Sequence, residues 1–349
     1  MKSISKIIFY LSISLILNAC STTNRMTMGI TEPAIVYVAD DIQNIGIINR
    51  SVPSKSNNAL DKIDQILSAE GLDLDKKAAE AAISSFADEA GMLKNFKDIK
   101  IIEINNEIKS GLGILPATLS WDEVTKICED NNVDLLFSLA FFDSDTKSSL
   151  KVATIPLENT LGVKVDVPGH EITLNSIINC GWRIYNPETK LVIDQRMYTK
   201  NMVFVGQGIN PVKALETIKN RNETIQQYSK NVGIAYAKRL VPNKVRISRD
   251  YFVRGSNNFK IAQRRAQTGN WNAAAELWEQ ELKSTNPRIL GRANYNMAIS
   301  SEINGDLDAA IAYASKAFAD YRNRLALEYV NTLNYRVEQN KVLEQQLSN

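Results

Sequence analysis

Two phrases near the end of the chain, GNWNAAAELWEQEL and GDLDAAIAYASKAF, are one phrase written twice, 36 positions apart from Gly269 to Gly305. Gly269, Trp271, Ala274 and Trp278 pair with Gly305, Leu307, Ala310 and Ala314. Self-similarity at this period marks a repeat architecture, in which a copy buries its apolar face only against a neighbour. Three or more copies are normally needed for such an array to stand alone. Having two constrains the fold: they must dock on the rest of the chain or be sealed by a last helix. Leu325, Tyr329, Val330, Leu333 and Val337 recur at helical spacing behind the second copy and supply that helix, which thins to a polar end after Asn340.

A chain of 349 residues has room for two domains, and its 44% apolar content supplies a core for each. Upstream of the repeats the pattern alternates between β and α. Ala34–Val38 and Ile45–Arg50 read as short strands, separated by Ala39-Asp40-Asp41. Leu60, Ile63 and Leu67 predict a helix that stops near Gly71, and Asp75 is placed to cap a second one running to Gly91. Ile99–Ile104 reads as a strand. Ser120 and Glu123 form a capping box that opens a helix carrying Val124, Ile127 and Cys128 on one face. LLFSLAFF, Leu135 to Phe142, is apolar enough to be covered on both faces, which puts it in the middle of a sheet. Residues 149–200 read as a meander with a turn at Asn186-Pro187-Glu188-Thr189. Asn210-Pro211 opens a long helix that Pro242 closes, and Val245–Ser248 reads as one further strand. This order predicts a layered α/β sandwich.

The N-terminus has a different logic. Lys2 and Lys6 precede an apolar stretch, Ile7–Leu17, too short to span a bilayer comfortably. Leu17-Asn18-Ala19-Cys20 then resembles the bacterial lipobox. That resemblance implies cleavage after Ala19, diacylglycerol on Cys20 and acylation of the new amino terminus, and three acyl chains anchor far better than one. Ser21-Thr22-Thr23-Asn24 is small and polar, as a tether should be. Ser21 resembles an outer-membrane sorting signal, and no acidic cluster for surface export follows, so the expected location is the periplasmic face of the outer membrane. Without Lys2 and Lys6 the Lys+Arg count falls from 41 to 39, matching 39 Asp+Glu. Nothing in that neutral balance suggests a nucleic acid or an anionic membrane as partner.

CEDNNVDLLFSLAFF and WRIYNPETKLVIDQRMY are similar to two hallmarks of envelope proteins: a helix ending in a turn before an apolar strand, with Asp134 at the turn, and a strand–turn–strand centred on Asn186-Pro187-Glu188-Thr189. They resemble the α/β domain of the curli-secretion lipoproteins, the N-terminal domain of the Tol-system propeller protein and the lipoprotein activators of cell-wall synthases. The duplicated phrase resembles the tetratricopeptide repeat, whose helix pairs need Gly at the turn and Ala where helices touch. Ala262 and Ala298 fit its small position, while Asn258 and Asn294 stand where that family has Trp. As a whole the chain resembles a family of Gram-negative envelope lipoproteins. The expected fold class is α+β: a signal peptide at 1–19, a lipidated tether at 20–32, a layered α/β sandwich with a mixed sheet at 33–254, and a tetratricopeptide-like helical region with a capping helix at 255–349.

Chemistry is harder to find. His170, the single histidine, excludes a multi-His metal site and leaves any Ser-His-Asp hydrolase dependent on one residue, read as a solvated turn position in VPGHEI. Cys128 and Cys180 lack CxxC spacing; they read as free and buried, with one disulfide left open by an oxidising periplasm. Gly206-Gln207-Gly208 lacks the third glycine of a dinucleotide loop and reads as a flexible approach to the long helix. Asp143-Ser144-Asp145 resembles the start of a calcium loop without the rest and reads as a turn. Trp271 and Trp278 read as core. No catalytic residue, cofactor or metal is expected. The expected function is a non-enzymatic adaptor or assembly factor, held to the membrane by lipid on Cys20 and acting on another envelope protein. The alternatives are a peptide- or small-ligand-binding module using Lys260, Arg264 and Arg265 on the repeat groove, or an envelope hydrolase.

Overall fold

The computed structural model describes residues 22–51, 62–93, 95–104, 115–158 and 162–348. Cys20 lies outside them. The chain divides into two units. One holds Ala34–Pro242; the other holds Asn243–Ser348 together with the N-terminal segment through Pro33. The fold class is α+β, as expected.

The first unit is built on a five-stranded mixed sheet. Strands β2 (Asn44–Asn49), β3 (Asp98–Ile102) and β4 (Leu135–Glu158) run parallel, while β5 (Lys164–Asn186) and β6 (Leu191–Gly208) continue antiparallel, in the order β3-β2-β4-β5-β6. LLFSLAFF opens β4 at the centre of that order. Leu135, Phe137 and Leu139 face one core and Leu136 the other, so both faces of the strand are covered. The first core lies under helices α1 (Lys62–Gly91) and α4 (Arg221–Ala237), where Phe86, Phe137, Trp182 and Tyr236 form an aromatic cluster with ring centroids 5.0–5.9 Å apart. The second lies under α2 (Trp121–Asn131) and includes Val124, Cys128 and Tyr185.

The capping box at α2 is formed as read. Ser120 accepts from the Glu123 amide, and Glu123 accepts from the Ser120 amide. Asp134 joins two strands at their starts: its Oδ2 accepts from the amides of Gln43 (3.0 Å) and Asn44 (2.8 Å). Asn186 Oδ1 accepts from the amides of Glu188 and Thr189, which fixes the turn between β5 and β6.

Five local expectations are corrected. Ala34–Val38 alternates buried and exposed side chains like a strand, and Val36 N–H donates to Arg239 O, but the segment joins no strand ladder. The helices expected to break near Gly71 are one helix, α1. Asp75 sits inside it and accepts from Ser144 of β4 instead of capping. The expected long helix is two, α3 (Pro211–Glu216) and α4. It breaks because Thr217 turns its hydroxyl onto Ala214 O (2.7 Å) while accepting from the Gln207 amide of β6 (3.1 Å). That close approach explains Gly206 and Gly208, where an added Cβ would collide with the backbone of Ala214. The glycines make room for a packed helix and are no flexible approach.

The fifth correction concerns the tether. From Thr23 the segment expected as a tether is strand β1 (Thr23–Glu32). It pairs antiparallel with β7 (Asn243–Phe252) from Thr23↔Phe252 to Glu32↔Asn243. The last strand upstream of the repeats therefore joins β1, not the five-stranded sheet. Asn296 binds the end of this ribbon, accepting from the Phe252 amide and donating to its carbonyl, both at 2.7 Å.

Five helices follow the ribbon: α5 (Asn257–Gln267), α6 (Trp271–Glu281), α7 (Pro287–Ile303), α8 (Leu307–Ala319) and α9 (Arg324–Ser348). The two copies of the repeated phrase form the turns and second helices of successive hairpins. Gly269 and Gly305 have φ of 80° and 84°, the left-handed region that glycine occupies at no steric cost. Ala262, Ala274, Ala298, Ala310 and Ala314 are fully buried where helices meet, and α9 seals the stack with Ala326, Tyr329 and Leu333. No helix among the described residues is long and apolar enough to cross a membrane.

Candidate anion-binding site

At the N-terminal end of α7, a cavity of about 300 Å3 opens among Phe252, Gly291, Tyr321, Asn323 and four arginines: Arg288, Arg292, Arg322 and Arg324. Each arginine reaches it for a local reason. Asn286 caps α7 by accepting from the amides of Arg288 and Ile289, with Pro287 at the first helical position, so Arg288 lies in the first turn. Arg292 follows one turn later on the same face. The link from α8 to α9 closes with the Arg322 amide donating to Phe318 O (2.8 Å) and the Asn323 amide to Ala317 O (3.0 Å), which presents Arg322 at the left-handed C-terminal position. Arg324 then begins α9. Gly291 lets the link approach: a Cβ there would meet Tyr321 Cβ at 2.8 Å, and Asn323 donates to Gly291 O at 3.2 Å.

Arg292 is 9% exposed. It donates to Arg254 O (2.6 Å), and its guanidinium carbon lies 5.1 Å from the Phe252 ring centroid. Burial, with Arg288 nearby, pushes its pKa down. No carboxylate lines the cavity. Among the described residues Arg288, Arg322 and Arg324 take part in no ion pair, and the neighbouring Asp320 is held by Lys316 at 2.9 Å. The site therefore gathers cations that the described residues do not neutralise. Bringing like charges together beside a desolvated guanidinium is unfavourable unless an anion joins them.

The other end of α7 shows the neutralised case. Glu302 is buried and accepts from Arg249 (2.8 Å from each of Nε and Nη2), Arg336 (2.5 Å) and Tyr329 (2.6 Å). Burial alone would raise its pKa; these hydrogen bonds outweigh burial and hold it below the usual carboxylate range.

The structure separates the three basic residues singled out from the sequence. Lys260 and Arg264 are exposed on α5, one turn apart. Arg265 turns away to Ala273 O (2.6 Å) and to Glu276 (3.8 Å) on α6, so it works as a strut between helices. His170 is not a turn residue: it lies within β5, half-buried, opposite Val152 and Gly208, and makes no hydrogen bond to a Ser or Asp among the described residues. Asp143-Ser144-Asp145 lies within β4, not in a turn. Cys128 and Cys180 are free and buried, and burial pushes their thiols up to about 11 and 12. Trp278 is fully buried, and Trp271 packs edge-on against Tyr251 at 5.3 Å.

The cavity arginines escaped the sequence reading. Their one signal was placement: Arg288 and Arg292 one turn apart behind an Asn-Pro cap, and Arg324 at the start of another helix, where cations are unfavourable.

The chain matches the family model of a domain of unknown function, DUF8603, over residues 42–252, and that of a second, DUF6340, over residues 260–336. No curated protein matches it. Among solved structures it is similar to the PelC dodecamer from Paraburkholderia phytofirmans, at 7% identity over 62% of this chain and 99% of that one, with a TM-score of 0.26. A neuraminyllactose-binding hemagglutinin homolog from Helicobacter pylori is similar at 9% identity over 56% and 90% of the two chains, also with a TM-score of 0.26.

Proposed function

The chain belongs to the DUF8603 family, and from that premise we propose that it is a lipid-anchored envelope protein that works by binding. Acylated on Cys20 and held at the periplasmic face of the outer membrane, it acts as a non-enzymatic adaptor or assembly factor for another envelope protein. The observation that carries a binding role is the arginine cavity, whose charge no described residue neutralises. The ribbon supports a short leash. Strand β1 begins at Thr23, three positions after Cys20, a reach of about 10 Å at full extension. An anchor there would hold the helical unit close to the bilayer.

Metabolic labelling with a palmitate analogue tests the anchor: label is expected in the wild type and absent in Cys20→Ala, and equal label in both sinks it. Crosslinking in intact envelopes tests the adaptor role, which fails if no partner is recovered reproducibly. A second reading, a small-ligand module, is favoured by the same cavity. Its basic groups then are Arg288, Arg292, Arg322 and Arg324, in place of Lys260, Arg264 and Arg265. The hydrolase alternative required His170 beside a Ser or Asp in a cleft, and its strand position offers it no support.

A further inference from the structure

We infer that the cavity between the start of α7 and the α8–α9 link is a phosphate-binding site, built for the phosphoryl group of a small phosphorylated molecule or of a lipid headgroup. The inference rests on the small-ligand reading above and names its ligand chemistry.

Three independent features of the chain converge there. Arg288 and Arg324 each stand in the first turn of a helix, where the macrodipole is positive and a cation is disfavoured; an anion between them reverses the sign of both terms. Arg322 holds φ of 54° at a link where glycine is the usual occupant, although Gly269 and Gly305 fill the two other helix-to-helix turns with positive φ. A side chain kept where it strains the backbone is kept for its guanidinium. Arg292 is nine-tenths buried with a carbonyl and an aromatic face for company and no carboxylate.

Charge and size then select the ligand. Four guanidinia exceed what a monocarboxylate can neutralise. A phosphate monoester carries up to two charges and three acceptor oxygens in the geometry that the guanidinium fork matches. About 300 Å3 is the small end of ligand sites, which suits a phosphate with a compact substituent and excludes a folded polymer.

The test uses the full chain carrying Cys20→Ser, so that acylation does not contribute. Inorganic pyrophosphate is titrated by calorimetry and by thermal shift, against succinate and chloride at matched ionic strength. The expected result is a pyrophosphate-dependent rise in Tm that succinate does not give. Arg288→Gln should weaken binding by about tenfold or more. Arg322→Gly separates binding from folding, because relief of the backbone raises its starting Tm while its pyrophosphate response falls.

An equal response to succinate overturns the phosphate assignment and leaves the binding reading intact. No response to either anion overturns both. A response undiminished in Arg288→Gln and Arg322→Gly overturns the location. Sedimentation with vesicles containing phosphatidic acid, whose headgroup is a phosphate monoester, but not with phosphatidylcholine vesicles, lost in Arg288→Gln, assigns the phosphate to a headgroup. A pyrophosphate response without vesicle binding assigns it to a soluble phosphate compound.

Discussion

The two ends of α7 handle buried charge in opposite ways. At the C-terminal end Glu302 is enclosed by Arg249, Arg336 and Tyr329, and every strong partner is supplied by the chain. At the N-terminal end Arg292 is nearly as enclosed, has Arg288 one turn away, and meets no carboxylate. Both arrangements draw on the ribbon: Arg249 belongs to β7, and Phe252 at its end covers Arg292. A satisfied network fixes structure, and removing one member leaves the rest stranded. An unsatisfied cluster contributes little to folding and is free to take a ligand.

The comparison can be broken most forcefully at Glu302. Glu302→Ala strands two guanidinia in the core and should cost about 3–5 kcal/mol in urea unfolding; a cost under about 1 kcal/mol would mean that the network is ornamental. Asp75 sharpens the contrast through pH. Burial raises its pKa from 3.8 to about 6, with Asp143 adding to the rise and Ser144 and Arg221 opposing it. Because the folded value lies above the unfolded one, its stabilising effect is complete below about pH 4 and is lost as pH rises through about 6. Asp75→Asn should therefore gain about 2–3 kcal/mol at pH 8 and little at pH 4. Glu302, with a lowered pKa, runs the other way: its contribution is present above its unfolded value of 4.5 and is lost as pH falls through the folded one. Parallel pH profiles for wild type and Asp75→Asn would remove that distinction. Arg292→Met exchanges an uncompensated cation for a side chain of similar reach and should change stability by about 1 kcal/mol or less. A loss as large as that of Glu302→Ala would show both ends of α7 to be equally structural. The smallest effect is expected from Arg322→Gly, a gain of about 0.5–1 kcal/mol in thermal unfolding, since glycine adopts φ of 54° without strain.

The parts of the fold that were readable without coordinates are those set by neighbours in sequence. The Ser120–Glu123 box, the Asn186 turn, the doubly covered LLFSLAFF strand and the glycine turns at 269 and 305 each depend on a few consecutive residues. The misread parts depend on distant groups. Gly71 looked like a stop, yet α1 runs through it, because the burial of Ala78, Ala79, Ala82 and Phe86 further on outweighs the roughly 1 kcal/mol that an interior glycine costs. Thr217 looked helical until β6 claimed its hydroxyl. Thr23–Glu32 looked like tether because its strand partner lies more than two hundred residues away, Arg25 bonding Asp250 at 2.9 Å. The cavity was illegible for the same reason. Arg288 and Arg324 are far apart in sequence, and nothing local says that two helix starts and a strained link share one opening. Lys260 and Arg264 were easy to single out because they lie one turn apart on one helix, which is the usual look of a solvated face.

The ribbon has a consequence for how such a chain is assembled. Glu32 and Asn243 are opposite partners in an antiparallel ladder, so their Cα atoms lie about 5 Å apart, as residues flanking a hairpin turn do. The whole of 33–242 is thus an insertion at the tip of what would otherwise be a simple β-hairpin. Two units with one entry and one exit in adjacent positions can be cut apart cleanly. A two-residue Asn-Gly turn grafted between Glu32 and Asn243 would leave the helical unit with its ribbon complete. In the intact chain, the same topology makes that ribbon a contact between segments more than two hundred residues apart, so its closure costs more chain entropy than a hairpin's and it forms late in folding.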